Sequence, residues 1–155
     1  MRMSRDWDSV ESWGREMASD YDVISVQMGK IREGNIVLNI GVGLGVFASY
    51  VSRVWNAFVI GVDASVGFLE SAKKRTGESG AWRRVLLLHS SADHLPLRGV
   101  CIDAAVSILS IQDLPPDVTL QVFREIRRVL TRRGRFVLVE DWAFDPKSRV
   151  EYALL

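Results

Sequence analysis

Asn35-Ile36-Val37-Leu38-Asn39-Ile40-Gly41-Val42-Gly43-Leu44-Gly45 decides how this chain folds. Residues 35–40 form a short apolar run, the pattern of a strand buried on both faces. Three glycines at alternate positions follow at once, and Val46 to Val54 reads as a helix. Glycine has no Cβ, so the backbone can turn sharply there and approach a ligand closely. The helix that follows presents its unpaired N–H groups to the same spot. Strand, glycine turn and helix together form the opening unit of an α/β sheet whose ligand sits at the strands' carboxyl ends.

The pattern repeats along the chain. Ala57-Phe58-Val59-Ile60-Gly61-Val62 is a second buried strand ending at Asp63, and Ser65 can cap a helix running to about Thr76, where Gly77 and Gly80 break it. Val85-Leu86-Leu87-Leu88-His89 is a third strand. Pro96 and Gly99 punctuate a loop before a fourth, Ile102 to Ile108. Pro115-Pro116 precede a helix with an apolar stripe of Leu120, Phe123, Ile126, Val129 and Leu130. Gly134 stops it, and Arg135 to Glu140 is the fifth strand. Strands joined by helical crossovers imply a parallel sheet. The expected fold is therefore α/β, a Rossmann-like doubly wound parallel sheet of order 3-2-1-4-5. Only 14 residues follow Asp141. We therefore expect a core truncated after strand 5, without C-terminal antiparallel strands, and an apolar edge open to association, a route to a homo-oligomer. Ahead of the core, Trp7, Val10, Gly14, Met17, Tyr21, Ile24 and Met28 recur at helical spacing. Residues 1–33 are read as an N-terminal helical cap and 34–155 as the core, one domain overall.

Composition narrows the function. At 155 residues the chain suits a single domain with a real core, and its net charge of +1 gives no field that demands nucleic acid. Cys101 is the only cysteine, and His89 and His94 lack metal-ligand spacing, so no metal is expected. No apolar run approaches the ~20 residues that span a bilayer. The first residues lack a signal peptide's apolar stretch, so the cytoplasm is the expected location. Arg124, Arg127, Arg128, Arg132 and Arg133 make one helix basic. Without interleaved aromatics for base stacking, a solvated face explains them better than nucleic acid.

Glycine spacing and one acid define the ligand. A dinucleotide fingerprint is GxGxxG, but position 46 is Val, which disfavours NAD and FAD. The shape suits a nucleoside with an amino-acid tail. Asp63 follows the loop by about 20 residues, where an acid accepts from ribose hydroxyls.

In these segments the chain resembles class I S-adenosylmethionine-dependent methyltransferases, in particular the ubiquinone/menaquinone biosynthesis group. Val37 to Gly45 looks like the first motif, and Gly61-Val62-Asp63-Ala64-Ser65 like the ribose-binding second. Ser91-Ala92-Asp93-His94-Leu95-Pro96-Leu97 looks like the adenine-side third. Arg124 to Leu130, with Gly134 to Glu140, looks like the closing helix and strand. The resemblance spans about residues 35–141. It implies a methyltransferase that uses S-adenosylmethionine, releases S-adenosylhomocysteine and acts by in-line displacement on a small-molecule acceptor. Carried over by position, Asn39, Ile40, Gly41, Val42 and Gly43 would cradle the methionine tail, and Asp63, Ala64 and Ser65 the ribose. Asp93 would accept from the adenine amino group, with Ala92 and His94 beside it. Phe68 would pack near adenine, although a place in the helix core suits it equally. Ser107 and Ile108 would line the methyl side.

The family usually has an acid where this chain has Asn39, which can accept a hydrogen bond but brings no charge to a cationic amino group. No catalytic residue stands out. Asp113, His94 and Tyr21 are candidate bases, each with a plainer structural explanation, and Gln112-Asp113 occupies the place of histidines in some relatives. Two alternatives remain: a cofactor-binding or partner subunit without turnover, and, less favoured, an NAD(P)-dependent oxidoreductase.

Overall fold

The computed structural model describes residues 24–140 and the strand Glu151–Leu154. Its elements in chain order are β1 (Ile36–Ile40), α1 (Val46–Val54), β2 (Phe58–Asp63), α2 (Val66–Glu78), β3 (Val85–His89), β4 (Ile102–Ile108), α3 (Pro116–Val129), β5 (Leu130–Glu140) and β6 (Glu151–Leu154). A single 3-10 turn, Ala81–Arg84, leads into β3. The sheet order is β3-β2-β1-β4-β5-β6, parallel through β5.

Alternation in β1 sets the two layers. Val37 points into a cluster with Val42, Phe47, Ala48, Val51, Val59 and Val106 beneath α1 and α2. Leu38 and Ile40 point the other way, into a cluster with Ile102, Val122, Ile126, Val129 and Phe136 beneath α3. Residues on both faces of β1 are almost wholly buried. Each large side chain removed from water in this way contributes about 1.5–3 kcal/mol.

Several expectations need correction. α2 runs through Gly77 to Glu78, because a glycine that meets nothing is tolerated in an exposed last turn. α3 ends at Val129, and Leu130 starts β5 by pairing with Ile102. The register then jumps to Ala104 with Arg135, so Gly134 lies within an irregular β5 rather than at a helix stop. Leu120 is 51% exposed, and the buried positions of α3 are Val122, Ile126 and Val129. At the amino end, residues 24–29 are helical. Ser25 and Val26 are buried there, with Met28 packed beside them. The rest of the expected N-terminal stripe, from Trp7 to Tyr21, lies outside the described residues.

The largest correction concerns the sheet edge. β6 pairs antiparallel with β5, Val137 opposite Leu154 and Glu140 opposite Glu151. An antiparallel strand is thus present, and it covers the Val137–Glu140 end of β5 that was expected to lie open.

Candidate functional site

Register brings the predicted residues to one level. Ile40 stands beside Val62 on one side and Ser107 on the other, and Asp63 stands beside His89. The carboxyl ends of β1, β2, β3 and β4 therefore finish together, with Gly41–Gly45, Ala64-Ser65, Ser90–His94 and Leu109–Gln112 leaving them on one side of the sheet.

The glycine loop is built for close approach. Gly41 has φ +66°, and a Cβ there would lie 1.7 Å from Ser110 Oγ and 2.5 Å from Ser110 Cβ. Gly45, φ +74°, is the N-cap of α1, and its missing Cβ lets Ala72 of α2 approach to within 2.9 Å of that position. No side chain caps α1, and its first turn carries no acid. The N-terminal N–H groups and the positive end of the helix dipole are left for a ligand.

Asp63 ties the loop to β2. Its Oδ2 accepts from Gly43 N–H at 3.0 Å, and its Oδ1 accepts from Ser65 N–H at 2.9 Å. Each carboxylate oxygen has a second lone pair, so hydroxyl donors can still be accepted. Ser65 caps α2 as expected, its Oγ accepting from Phe68 N–H at 3.3 Å. Ala64 is exposed, and its carbonyl lies 3.1 Å from His89 Nε2. Phe68 is half-buried in the first turn of α2.

The 90–97 loop forms the second wall. Asp93 accepts from Ser91 Oγ and pairs with His94 Nδ1 at 3.1 Å. The Ser91 hydroxyl holds the Asp93 carboxyl below its usual range, with help from His94. The His94 side chain is 81% exposed, and Ala92 is half-buried. Behind this loop stands a pair that the sequence did not single out. Arg128 binds Glu125 in a fork, Nε to Oε1 and Nη2 to Oε2, both at 2.7 Å. Arg128 also donates to the carbonyls of Leu97 and Leu95, while Glu125 accepts from Leu95 N–H at 2.9 Å. Arg128 keeps Glu125 ionised below the usual carboxylate range. Arg128 is thus a staple between α3 and the loop, whereas Arg124 and Arg127 lie on the solvated face.

On the third side lie buried polar groups. Asn39 is 3% exposed, and its Oδ1 has no protein partner. Buried polar atoms are almost always paired, so an orphan acceptor beside the glycine loop marks where a donor belongs. It suits a cationic amino group, and the loop, whose glycines leave room for backbone approach, suits the tail carrying it. Ser107, between Ile40 and Leu138 in the sheet, is completely buried with Oγ unpartnered. Glu140, at the end of β5, is also buried, and its Oε1 accepts from Ile111 N–H at 3.1 Å. Sequence reading missed Ser110, Glu125 and Glu140 as site-shaping residues, because the contacts that matter, with Gly41, Leu95 and Ile111, join residues 29 or more apart and no local spacing marks them.

Among candidate bases, Asp113 and His94 lie on exposed loops, and Tyr21 is outside the described residues. Among the described residues no cluster of three or more His, Cys, Asp or Glu could hold a metal ion. No helix among them is long and apolar enough to cross a membrane.

Comparison with known proteins places this geometry. A family model described as "Methyltransferase domain" matches residues 38–138. Methyltransferase GfsG of Streptomyces halstedii is 33% identical over 110 residues, covering 71% of this chain and 39% of that protein. Among solved structures, the YcgJ protein of Bacillus subtilis is similar with a TM-score of 0.73 and 28% identity, covering 83% of this chain and 53% of the other. A phosphoethanolamine N-methyltransferase 2 of Haemonchus contortus, solved with S-adenosyl-L-methionine, aligns with a TM-score of 0.70 and 26% identity over 78% of this chain and 28% of its own. The chain therefore spans about four-tenths of the length of GfsG and about half that of YcgJ.

Proposed function

Because this chain belongs to the methyltransferase-domain family, we propose that it binds S-adenosylmethionine and transfers the methyl group by in-line displacement to a small-molecule acceptor, leaving S-adenosylhomocysteine. One observation carries the proposal: Asp63 and Gly43 are joined by a 3.0 Å hydrogen bond, so the ribose-binding acid and the glycine loop form one unit. The orphan Oδ1 of Asn39 supports it at the tail end. A small acceptor fits a chain with a net charge of +1 and no aromatic-basic surface on its arginine-bearing helix.

Bound S-adenosylmethionine supplies a methyl group already activated on a positive sulfur. What remains for the chain is binding and alignment, which proximity can turn into rate. Asn39, Ile40, Gly41, Val42 and Gly43 hold the tail, with the α1 N-terminus behind them. Asp63, Ala64 and Ser65 hold the ribose. Asp93 takes the adenine amino group, flanked by Ala92, His94 and Phe68. Ser107 and Ile108, at the end of β4, would line the methyl side.

Titration calorimetry tests the cofactor. S-adenosylmethionine and S-adenosylhomocysteine are expected to bind with NAD silent, and preferential NAD binding would overturn the assignment. Asn39→Asp should tighten S-adenosylmethionine by about fivefold, since a charge-assisted bond to the amino group replaces a neutral one. Looser binding would remove Asn39 from the amino-group site. The neutral Asn39 favours one other possibility, a cofactor-binding subunit without turnover. Release of S-adenosylhomocysteine with candidate acceptors separates the two.

A further inference from the structure

The segment after β4 has an unusual anchor. Leu109 leaves the strand with φ +50°, a conformation that side-chain-bearing residues rarely adopt. That turn sends the following N–H groups toward a single point. Successive N–H groups arranged around such a turn form a concavity for an anion. Here the anion is internal. The Glu140 carboxylate, 3% exposed, accepts from Ile111 N–H at 3.1 Å, and the N–H groups of Ser110 and Gln112 also favour its charge. Burial works against that charge and raises the carboxyl's affinity for a proton, with Asp113 adding repulsion. Its Oε2 has no protein partner. A buried carboxylate that only filled space would be a poor choice, since an apolar residue of its size packs there at lower cost.

The segment so held reaches the glycine loop. Ser110 fills the space that a Cβ on Gly41 would need, with its Oγ 1.7 Å from that position. Glu140, the 110–112 backbone, Ser110 and Gly41 thus form one connected line from the end of β5 to the loop after β1.

We propose that Glu140 is a positioning residue, whose buried carboxylate holds the 110–112 backbone so that Ser110 buttresses Gly41 and sets the glycine loop for S-adenosylmethionine. This rests on the cofactor assignment above and extends it to a residue that touches neither cofactor nor acceptor.

The test is Glu140→Met in the full chain, which keeps side-chain volume and removes every acceptor. Two measurements are made: amide hydrogen exchange residue by residue, and calorimetry with S-adenosylhomocysteine. The expected result is a folded protein whose 110–112 amides exchange at least about tenfold faster, with β1, β2 and α1 still protected, and whose affinity falls by about tenfold. Glu140→Gln, which retains one acceptor, should fall between Met and wild type in both readouts. A merely structural role predicts a shift in melting temperature with unchanged affinity. Unchanged exchange at 110–112 overturns the proposal, as does faster exchange with unaltered affinity. If Glu140→Met loses protection throughout, the same criteria apply to Glu140→Gln. If the wild type does not bind S-adenosylhomocysteine, the cofactor assignment fails, while the exchange arm still decides whether Glu140 holds the segment.

Discussion

Asp63→Ala is expected to weaken S-adenosylmethionine binding by at least about 100-fold, because two kinds of bond are lost together. Each hydrogen bond from a ribose hydroxyl to a carboxylate contributes about 1.5–3 kcal/mol, and two of them account for that factor by themselves. The same carboxylate also joins Gly43 to Ser65 through their N–H groups at 3.0 and 2.9 Å. Alanine therefore removes the ligand's partner and loosens the loop that must meet the ligand. Asp63→Asn should do little better, since its NH2 group would face one of those backbone donors. Both groups are partly open to water, so the fold should survive with a loss of about 1–2 kcal/mol, or roughly 2–8 °C in Tm. Calorimetry on variants shown to be folded by circular dichroism measures the effect. Affinity within about threefold of wild type would exclude Asp63 from the site.

Gly41→Ala is expected to be nearly as severe, for a steric reason. The residue sits at φ +66°, where a Cβ costs about 1–2 kcal/mol on the backbone alone. The new methyl would also overlap Ser110, with Oγ at 1.7 Å and Cβ at 2.5 Å. Overpacking of this kind adds about 1–3 kcal/mol. Tm should fall by about 4–20 °C, and cofactor binding should be lost as the loop is pushed out of place. Ser110→Gly clears both overlapping atoms, and the next, Ser110 Cα, lies at an ordinary 3.8 Å. The double variant should recover the steric share of the loss and keep the backbone share. A double-mutant cycle should therefore show favourable coupling of about 1–3 kcal/mol. Additive effects would mean that Ser110 does not buttress Gly41.

The sheet was legible wherever local pattern and tertiary context agree. β3, β4 and α1 occupy the ranges expected, because apolar runs bounded by Gly, Pro and Asp leave little choice. Departures arise where a long-range contact outweighs local preference. Leu130 continues the helical stripe in sequence, yet pairing with Ile102 draws it into β5. Four residues, Glu151–Leu154, are too few to announce a strand by alternation, and only pairing with β5 defines them. The site divides in the same way. Asp63, Ser65 and the glycines are legible because turn chemistry and capping are local. Glu140, Glu125 and Ser110 were not, because their roles depend on which distant group each side chain meets, an N–H for the two carboxylates and Gly41 for the serine. The orphan oxygen of Asn39 lies between these cases, its position readable and its burial not.

The two walls of the site are fastened by fixings that respond to different stresses. The 90–97 loop hangs on the Glu125–Arg128 fork, whose guanidinium residue is 39% exposed on its side chain. Dissolved ions reach such a pair and weaken it. The 110–112 segment hangs on Glu140, which solvent scarcely touches, so salt has little purchase there. With the cofactor seated as proposed, ionic strength should therefore act as a one-sided lever, slackening the loop on the base side while leaving the 110–112 segment set.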